Sequence, residues 1–305
     1  MGGREWIARH IGSEAFEKLA TGLAASELQS VLLEIAQRRA KEREPKDLLT
    51  QYQRDPFCAP AATDLRESVA IDSHLLAAAE GFDAIELSPV APLGACSVVG
   101  LTDQNRVLTA LRTTEVVSDP TNVLALECAR RLRTAPQESL HFATSQRVVR
   151  AQPVPKLPGY SQHFRIFVLA SAGIETKEHA FTVDTVVRHL RTLSLAMERL
   201  EQHGYSFGAR RIDVLARPER AVIAARIAET LGQGTQVKPL EHAYYSGGIR
   251  YQIWATAPNG AEMPLFDGGT FDWVAKLASN RRAVYVASGG GSQLIALQFR
   301  ANPRA

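Results

Sequence analysis

Apolar positions recur at helical spacing in several stretches of the chain. In SELQSVLLEIAQRRAKER, Leu28, Leu32 and Ile35 share a face that needs a partner, and Ser26 three places before Gln29 reads as a capping box. LRESVAIDSHLLAAAEGF predicts a helix stopped at Gly81. PTNVLALECARRLR predicts another, with Asp119 as N-cap and Pro120 at the first helical position. Over 178–203, Val183, Val186, Val187, Leu190, Leu193, Met197 and Leu200 mark one long helix ended by Gly204. PERAVIAARIAETLG and FDWVAKLA read as shorter helices.

Between these runs the pattern alternates. FDAIELS reads as a strand broken at Pro89, where a ladder donor is lost, and RVLTALRTTEVVS as two short strands. The segment 140–171 reads as a long hairpin whose tip is stiffened by Pro and Gly. RRIDVLA, GIRYQIWATA and EMPLFDGG follow, the last two joined by the hairpin turn PNGA. AVYVASGGGSQLIALQF predicts a strand, a tight turn at Gly289–Gly291 and a helix. Adjacent hairpins imply a mostly antiparallel sheet, and interspersed helices make the fold class α+β. EPKDLLTQYQRDPFCAPAATD, polar and with three prolines, is expected to be a connector. A boundary near residue 64 then separates a helical N-terminal extension, 1–64, from a core domain, 65–305.

Composition narrows the function classes. With 305 residues and 45% hydrophobic content the chain can bury a sizeable core unaided. A formal charge of +3 with interspersed signs announces neither RNA nor a membrane surface, and the arginine-rich helices read as solvated faces. No apolar run reaches the roughly 20 residues that span a bilayer, and the N-terminus has no continuous apolar signal core. Cys58, Cys96 and Cys128 lack paired spacing, so a reducing cytoplasm is the expected compartment. No histidine pair has metal-ligand spacing and no serine nucleophile elbow occurs, which disfavours metal and hydrolase chemistry. The triple glycine lacks the lysine and hydroxyl of a phosphate-binding P-loop.

The order of elements and the residues at their ends resemble the catalytic core of class II aminoacyl-tRNA synthetases, in particular the histidyl branch, over about residues 65–299. GFDAIELSPV with Pro89 resembles the first class II motif, the unit that builds the family's homodimer interface. VVSDPTNVLALECAR is similar to the family's Pro-Glu-x-Thr segment ending in Ala-Arg, with Asp119, Thr121 and Arg130 in the matching places. The hairpin 140–171 resembles the second motif, whose loop closes over ATP. HAYYSGGIRYQIWA resembles the histidyl DYYTGTVFE strand through Tyr244, Tyr245 and Gly247. FDGGTFDWVAKL resembles AGGRYDGL through Gly268, Gly269, Phe271 and Asp272, and the terminal glycine run falls where the third motif belongs. The stretch after this core, ending at Ala305, is too short for the anticodon-binding domain of a histidyl-tRNA synthetase.

The departures bear on function. In the family, one arginine of the second motif binds the α-phosphate and one of the third stacks on ATP, both tasks for a planar, permanent cation. Here the third-motif position is Gln293; Arg147 or Arg150 stands for the other, without the acidic residue two places on, where Val149 or Gln152 lies. Leu240 and Thr270 replace two further arginines of the histidyl pattern. Each lost transition-state contact is worth roughly 2 to 4 kcal/mol, so tRNA aminoacylation is not expected, and neither is ATP as a cofactor. A non-aminoacylating relative of this outline is the regulatory subunit of ATP phosphoribosyltransferase. The resemblance thus implies a catalytically silent regulatory or ligand-binding paralogue, a homodimer through the helix-strand-Pro89 unit, with a partner enzyme and an amino-acid-like or nucleotide ligand. The extension 1–64 lies outside that pattern. The alternative is an adenylate-forming ligase activating an amino or carboxylic acid.

The candidate ligand residues are Asp119, Thr121, Arg147, Arg150, Gln162, Tyr244, Tyr245, Gly268, Gly269 and Gln293. Several have a plain structural reading too: Asp119 and Asp272 as helix caps, the arginines as solvated charges, His163 beside Gln162 as a packing histidine. Of Tyr244 and Tyr245, strand neighbours pointing opposite ways, at most one is expected to face the site.

Overall fold

Four helices lead the chain: α1 (Gly3–Ile11), α2 (Ser13–Glu17), α3 (Ala25–Lys41) and α4 (Pro45–Arg54). The structure is a computed structural model that describes residues 3–154 and 160–302, so the tip of the 140–171 hairpin is only partly within the described residues. No side chain described between residues 5 and 67 is buried, and Leu32 and Ile35 remain exposed; the apolar face of α3 finds no partner among the described residues. The cap of α3 differs from the expected one. Glu27 accepts from the Ala24 amide at 2.8 Å, two residues earlier than the Ser26–Gln29 pairing. The expected connector contains a helix, because Pro45 takes the first helical position and Asp47 accepts from the Glu44 amide at 3.0 Å.

The elements that follow are α5 (Leu65–Ala78), β1 (Asp83–Ala84), β2 (Val90–Pro92), β3 (Thr109–Ala110), β4 (Thr114–Val116), α6 (Pro120–Thr134), β5 (Leu140–Val149) and β6 (His163–Ile174). Then come α7 (Ala180–Glu201), β7 (Arg210–Ala216), α8 (Ala221–Leu231), β8 (Thr235–Pro239), β9 (Ile249–Thr256), β10 (Glu262–Phe271), α9 (Trp273–Leu277), β11 (Ala283–Gly290) and α10 (Ser292–Gln298). Eight strands form one sheet in the order β1-β5-β6-β11-β10-β9-β7-β8, and β2-β4-β3 form a small second sheet. The large sheet is antiparallel except at its two edges, where β1 pairs with β5 and β7 with β8 in parallel.

Helices cover both faces of the large sheet. On one side α5, α7, α8 and α10 pack over Phe167, Tyr251, Phe266 and Val286; all seven apolar positions expected for the long helix are buried there. On the other side α6 and α9 pack over Phe142, Phe271 and Tyr285. Two strands depart from the expected pattern. Strand β8, TQVKP, lies at an edge with Val237 exposed, so it carries no burial alternation to read. FDAIELS forms only the two ladder residues of β1.

Gly289 and Gly290 belong to strand β11, while Gly291 is the N-cap of α10, so the expected tight turn is a continuation of the ladder. They pair with Val168 and Phe167 of β6. Strand β10 carries a register shift between Pro264 and Phe266, a bulge that turns the strand beside the glycines.

Candidate functional site

The N-terminus of α6, the loop end of the β5–β6 hairpin, the turn before β9, and strands β10 and β11 converge on a cavity of about 400 Å³. Asp119 caps α6, its Oδ1 accepting from the Thr121 amide at 3.0 Å and the Thr121 hydroxyl at 2.7 Å. Its other oxygen stays directed to the cavity, 3.7 Å from Arg150 Nη2. The cap reading holds, and it leaves one oxygen at the cavity wall, since a carboxylate has more lone pairs than the cap uses. Arg150 is engaged as well: its Nε donates to the Ser118 carbonyl at 2.9 Å and its guanidinium lies 5.1 Å from the Phe164 ring centre.

Tyr244 and Tyr245 both line the cavity. The alternation argument fails because they sit in a turn outside any ladder, with rings perpendicular and 5.3 Å apart. Burial raises the Tyr244 phenol above its ordinary range, with nearby Asp119 adding to it, so the hydroxyl is a proton-bearing donor. Tyr245 is fixed by its bond to Asp267 Oδ1 at 2.8 Å, and Asp267 in turn by the Arg250 fork at 3.1 and 2.5 Å. Gln293 lines the same space at 4% exposure; its Oε1 has no partner among the described residues. A buried acceptor left unpaired costs about 1–3 kcal/mol, which a donor placed there would offset.

Of the ten sequence candidates, Asp119, Thr121, Arg150, Tyr244, Tyr245, Gly268 and Gln293 line this cavity, and Arg147, Gln162 and Gly269 do not. Arg147 lies on the opposite face of the hairpin, donating to His163 Nδ1 at 2.8 Å; His163 bonds the Ala59 carbonyl through Nε2 at 2.6 Å. That face is fixed by strand period 2, in which Val148 points to one side and Arg147 and its ladder partner Arg165 to the other. At Gly269 an added Cβ would meet the Ile249 carbonyl and the Tyr245 ring, so this glycine lets the tyrosine turn pack on β10. Asp272 bonds Ser246 at 2.8 Å and Lys276 at 2.8 Å, outside the cavity. Arg130 pairs with Glu127 at 2.8 Å on the exposed side of α6. Asp267 was not anticipated. Its only sequence signal is its place directly before Gly268, and its pairing with Arg250 depends on the β9–β10 register.

The lining chemistry is uneven. Asp119, Asp267 and Gln293 offer acceptors, Phe164, Ile166, Leu265 and Phe271 offer apolar surface, and Arg150 is the one cation among the described residues of the lining. A nucleoside triphosphate needs several cations or a metal to offset its charge. The described residues do not fit that group. Among them no cluster of three or more His, Cys, Asp or Glu could hold a metal ion, and no helix is long and apolar enough to cross a membrane.

No family model and no curated protein matches the sequence. Solved structures do. The chain is similar to an ATP phosphoribosyltransferase regulatory subunit/histidyl-tRNA synthetase from Bacillus halodurans C, at 13% identity and a TM-score of 0.53, over 76% of this chain and 78% of that one. It is similar to a histidine-tRNA ligase subunit from Alicyclobacillus acidocaldarius, at 13% identity and a TM-score of 0.58, over 78% of this chain and 94% of the other. The RNA binding domain of threonyl-tRNA synthetase from Cryptosporidium parvum Iowa II matches at 10% identity and a TM-score of 0.60, over 75% of this chain and 63% of that one, under two thirds of its length. The fold is therefore that of a class II synthetase-like core, α+β with a large mostly antiparallel sheet flanked by helices and with helices at its N-terminus.

Proposed function

We propose that this chain is a histidyl-tRNA synthetase-like paralogue that binds a small amino-bearing molecule and acts in regulation, without aminoacylating tRNA. The observation that carries the reading is the acceptor-rich cavity: Asp119 and the unpaired Gln293 Oε1 await donors, and the described lining has a single cation, already engaged by Asp119 and Ser118. An ammonium group suits Asp119, a flat apolar or imidazole body suits the Tyr244, Tyr245 and Phe271 rings, and a ligand N–H or O–H suits Gln293. Two structural neighbours bear names of regulatory or ligase subunits, which supports a partner enzyme for this chain too. Residues 65–305 would be the binding core and 1–64 an appended arm, since no described side chain in 5–67 is buried. Three free cysteines agree with a reducing cytoplasm as its compartment.

The test is a panel of free amino acids and amines, read by calorimetry beside ATP–pyrophosphate exchange. At least one aromatic or imidazole-bearing amine should bind saturably, and Gln293→Leu should weaken it about tenfold, the loss of one hydrogen bond of about 1.4 kcal/mol. Exchange stimulated by any amino or carboxylic acid would sink the reading in favour of an adenylate-forming ligase.

Self-association is proposed through the unit that runs from α5 to the small sheet. Val90, Leu93, Val98, Leu101 and Leu111 are all exposed there, Val98 at 76%, and Leu101 adopts the left-handed φ of 54° that a branched residue avoids. Light scattering should give a dimer mass for the parent and a monomer mass for the Val98→Glu, Leu101→Glu double variant. A parent that stays monomeric at tens of micromolar would exclude this interface.

A further inference from the structure

A second cavity, of about 260 Å³, lies on the other side of Phe271, whose ring is a wall of both spaces. Three arginines line it: Arg281 and Arg282, exposed at the rim, and Arg220, half-buried. The two carboxylates of the lining are already engaged. Asp272 holds Lys276 at 2.8 Å and accepts from the Ser246 hydroxyl at 2.8 Å. Glu175 accepts from the Thr182 hydroxyl at 2.5 Å, from the Thr176 and Thr182 amides and from His179. Arg282 donates to the Glu175 carbonyl at 3.2 Å. Arg220 and Arg281 form no ion pair with any described residue.

The stem of Arg220 lies close to backbone. Gly248 has φ of 85°, and a Cβ there would lie 2.9 Å from Arg220 Cγ, so the turn before β9 brings backbone against the arginine stem. Deeper in, the Thr270 hydroxyl is buried at 5% exposure and accepts from the Ile249 amide at 3.2 Å; its own hydrogen has no acceptor among the described residues. At the rim, Glu178 and His179 sit in succession in the left-handed region, φ 55° and 58°, a conformation non-glycine residues avoid. A half-buried arginine without a carboxylate, a second at the rim and a buried free hydroxyl donor together suit a planar or tetrahedral oxyanion.

We propose that this second cavity is an anion-binding site, taking a phosphate or carboxylate group between Arg220, Arg281 and the Thr270 hydroxyl. The site is separate from the acceptor-rich cavity and does not depend on the function proposed for it. The experiment titrates the full chain with inorganic phosphate and, in a parallel arm, with succinate, at ionic strength held constant by sodium chloride, reading thermal midpoint and heat of binding. Saturable binding is expected in at least one arm, and which arm saturates distinguishes a phosphate from a carboxylate source. Arg220→Gln with Arg281→Gln should weaken it tenfold or more, while Arg150→Gln in the other cavity should leave it within twofold. Should the double variant fail to fold, Arg281→Glu alone, at an exposed position, should weaken binding at least tenfold. Midpoints and heats that stay flat with both anions at constant ionic strength, or binding undiminished in the arginine variants, would overturn the proposal.

Discussion

Replacing Gly290 by alanine is expected to destabilise the protein by about 3 kcal/mol or more, while the same change at Gly291 is expected to stay within about 0.5 kcal/mol. The difference comes from what each new methyl group would meet. At Gly290 a Cβ would press on the Phe266 ring, itself buried, and come within 2.5 Å of the Leu265 carbonyl. Neither can yield: Phe266 belongs to the core beneath α7, and Leu265 is the bulged residue of β10. At Gly291 the nearest atom is the flexible end of Leu294 at 3.4 Å, and its φ of −68° suits any residue. Gly289 is intermediate, 3.1 Å from the Phe167 carbonyl. Urea unfolding of the three alanine variants checks the ranking. A Gly290→Ala variant within 1 kcal/mol of the parent would mean that this close approach between β10 and β11 is not a constraint.

Acidification from pH 7 to pH 5 is expected to lower stability by about 2 kcal/mol through His189 alone. Its ring is completely buried on α7 and bonded at both nitrogens, to Ser171 at 2.8 Å and to Ser288 at 2.9 Å, with the Tyr251 hydroxyl 3.1 Å from Nδ1. Burial, helped by nearby His141 and Arg188, pushes its pKa down to about 3. His141, joined to the same chain through Ser171 at 2.8 Å, is pushed down to about 4 by burial and by Arg188. The unfolded chain titrates near 6.5 and so binds protons that the folded chain refuses. The contribution is fully present above pH 6.5 and is lost as pH falls toward these lower folded values. Half-exposed His141 adds a smaller amount. Denaturant unfolding at pH 7 and pH 5 checks the slope, and His189→Gln should remove about 2 kcal/mol of the pH-dependent loss. Equal acid sensitivity in parent and variant would refute the assignment.

Much of the fold was legible because its signals are local. The long α7 reads from seven apolar positions, the β5–β6 hairpin from two alternating runs, and α6 from Asp119 and Pro120. Strand β8 was not legible, for an edge strand with both faces partly wet has no contrast between positions. Helix α4 was obscured by its polarity, although Pro45 and Asp47 carried a start signal. Around the cavity, Asp119 and Gln293 could be picked out as a cap and as the residue two places after the glycine run. The separation of Arg150 from Arg147 could not be read, because it depends on where the strand ends and the loop begins, three residues apart.

By itself, then, the sequence determined the element types, the α+β class, the shortage of arginines at the positions a class II core uses, and a set of candidates of which most share one cavity. Those properties follow from residue identity and periodicity, which act over a few residues. The tertiary structure alone decided the strand order, the parallel edges and the opposite facing of Arg147. It also decided the entry of both tyrosines into one pocket, the pairing of Asp267 with Arg250, and the gathering of Arg220, Arg281 and Thr270 around a second cavity. Each of these depends on ladder register and on packing between segments 20 to 60 residues apart or more, where a one-residue slip would send a side chain to the other face of the sheet.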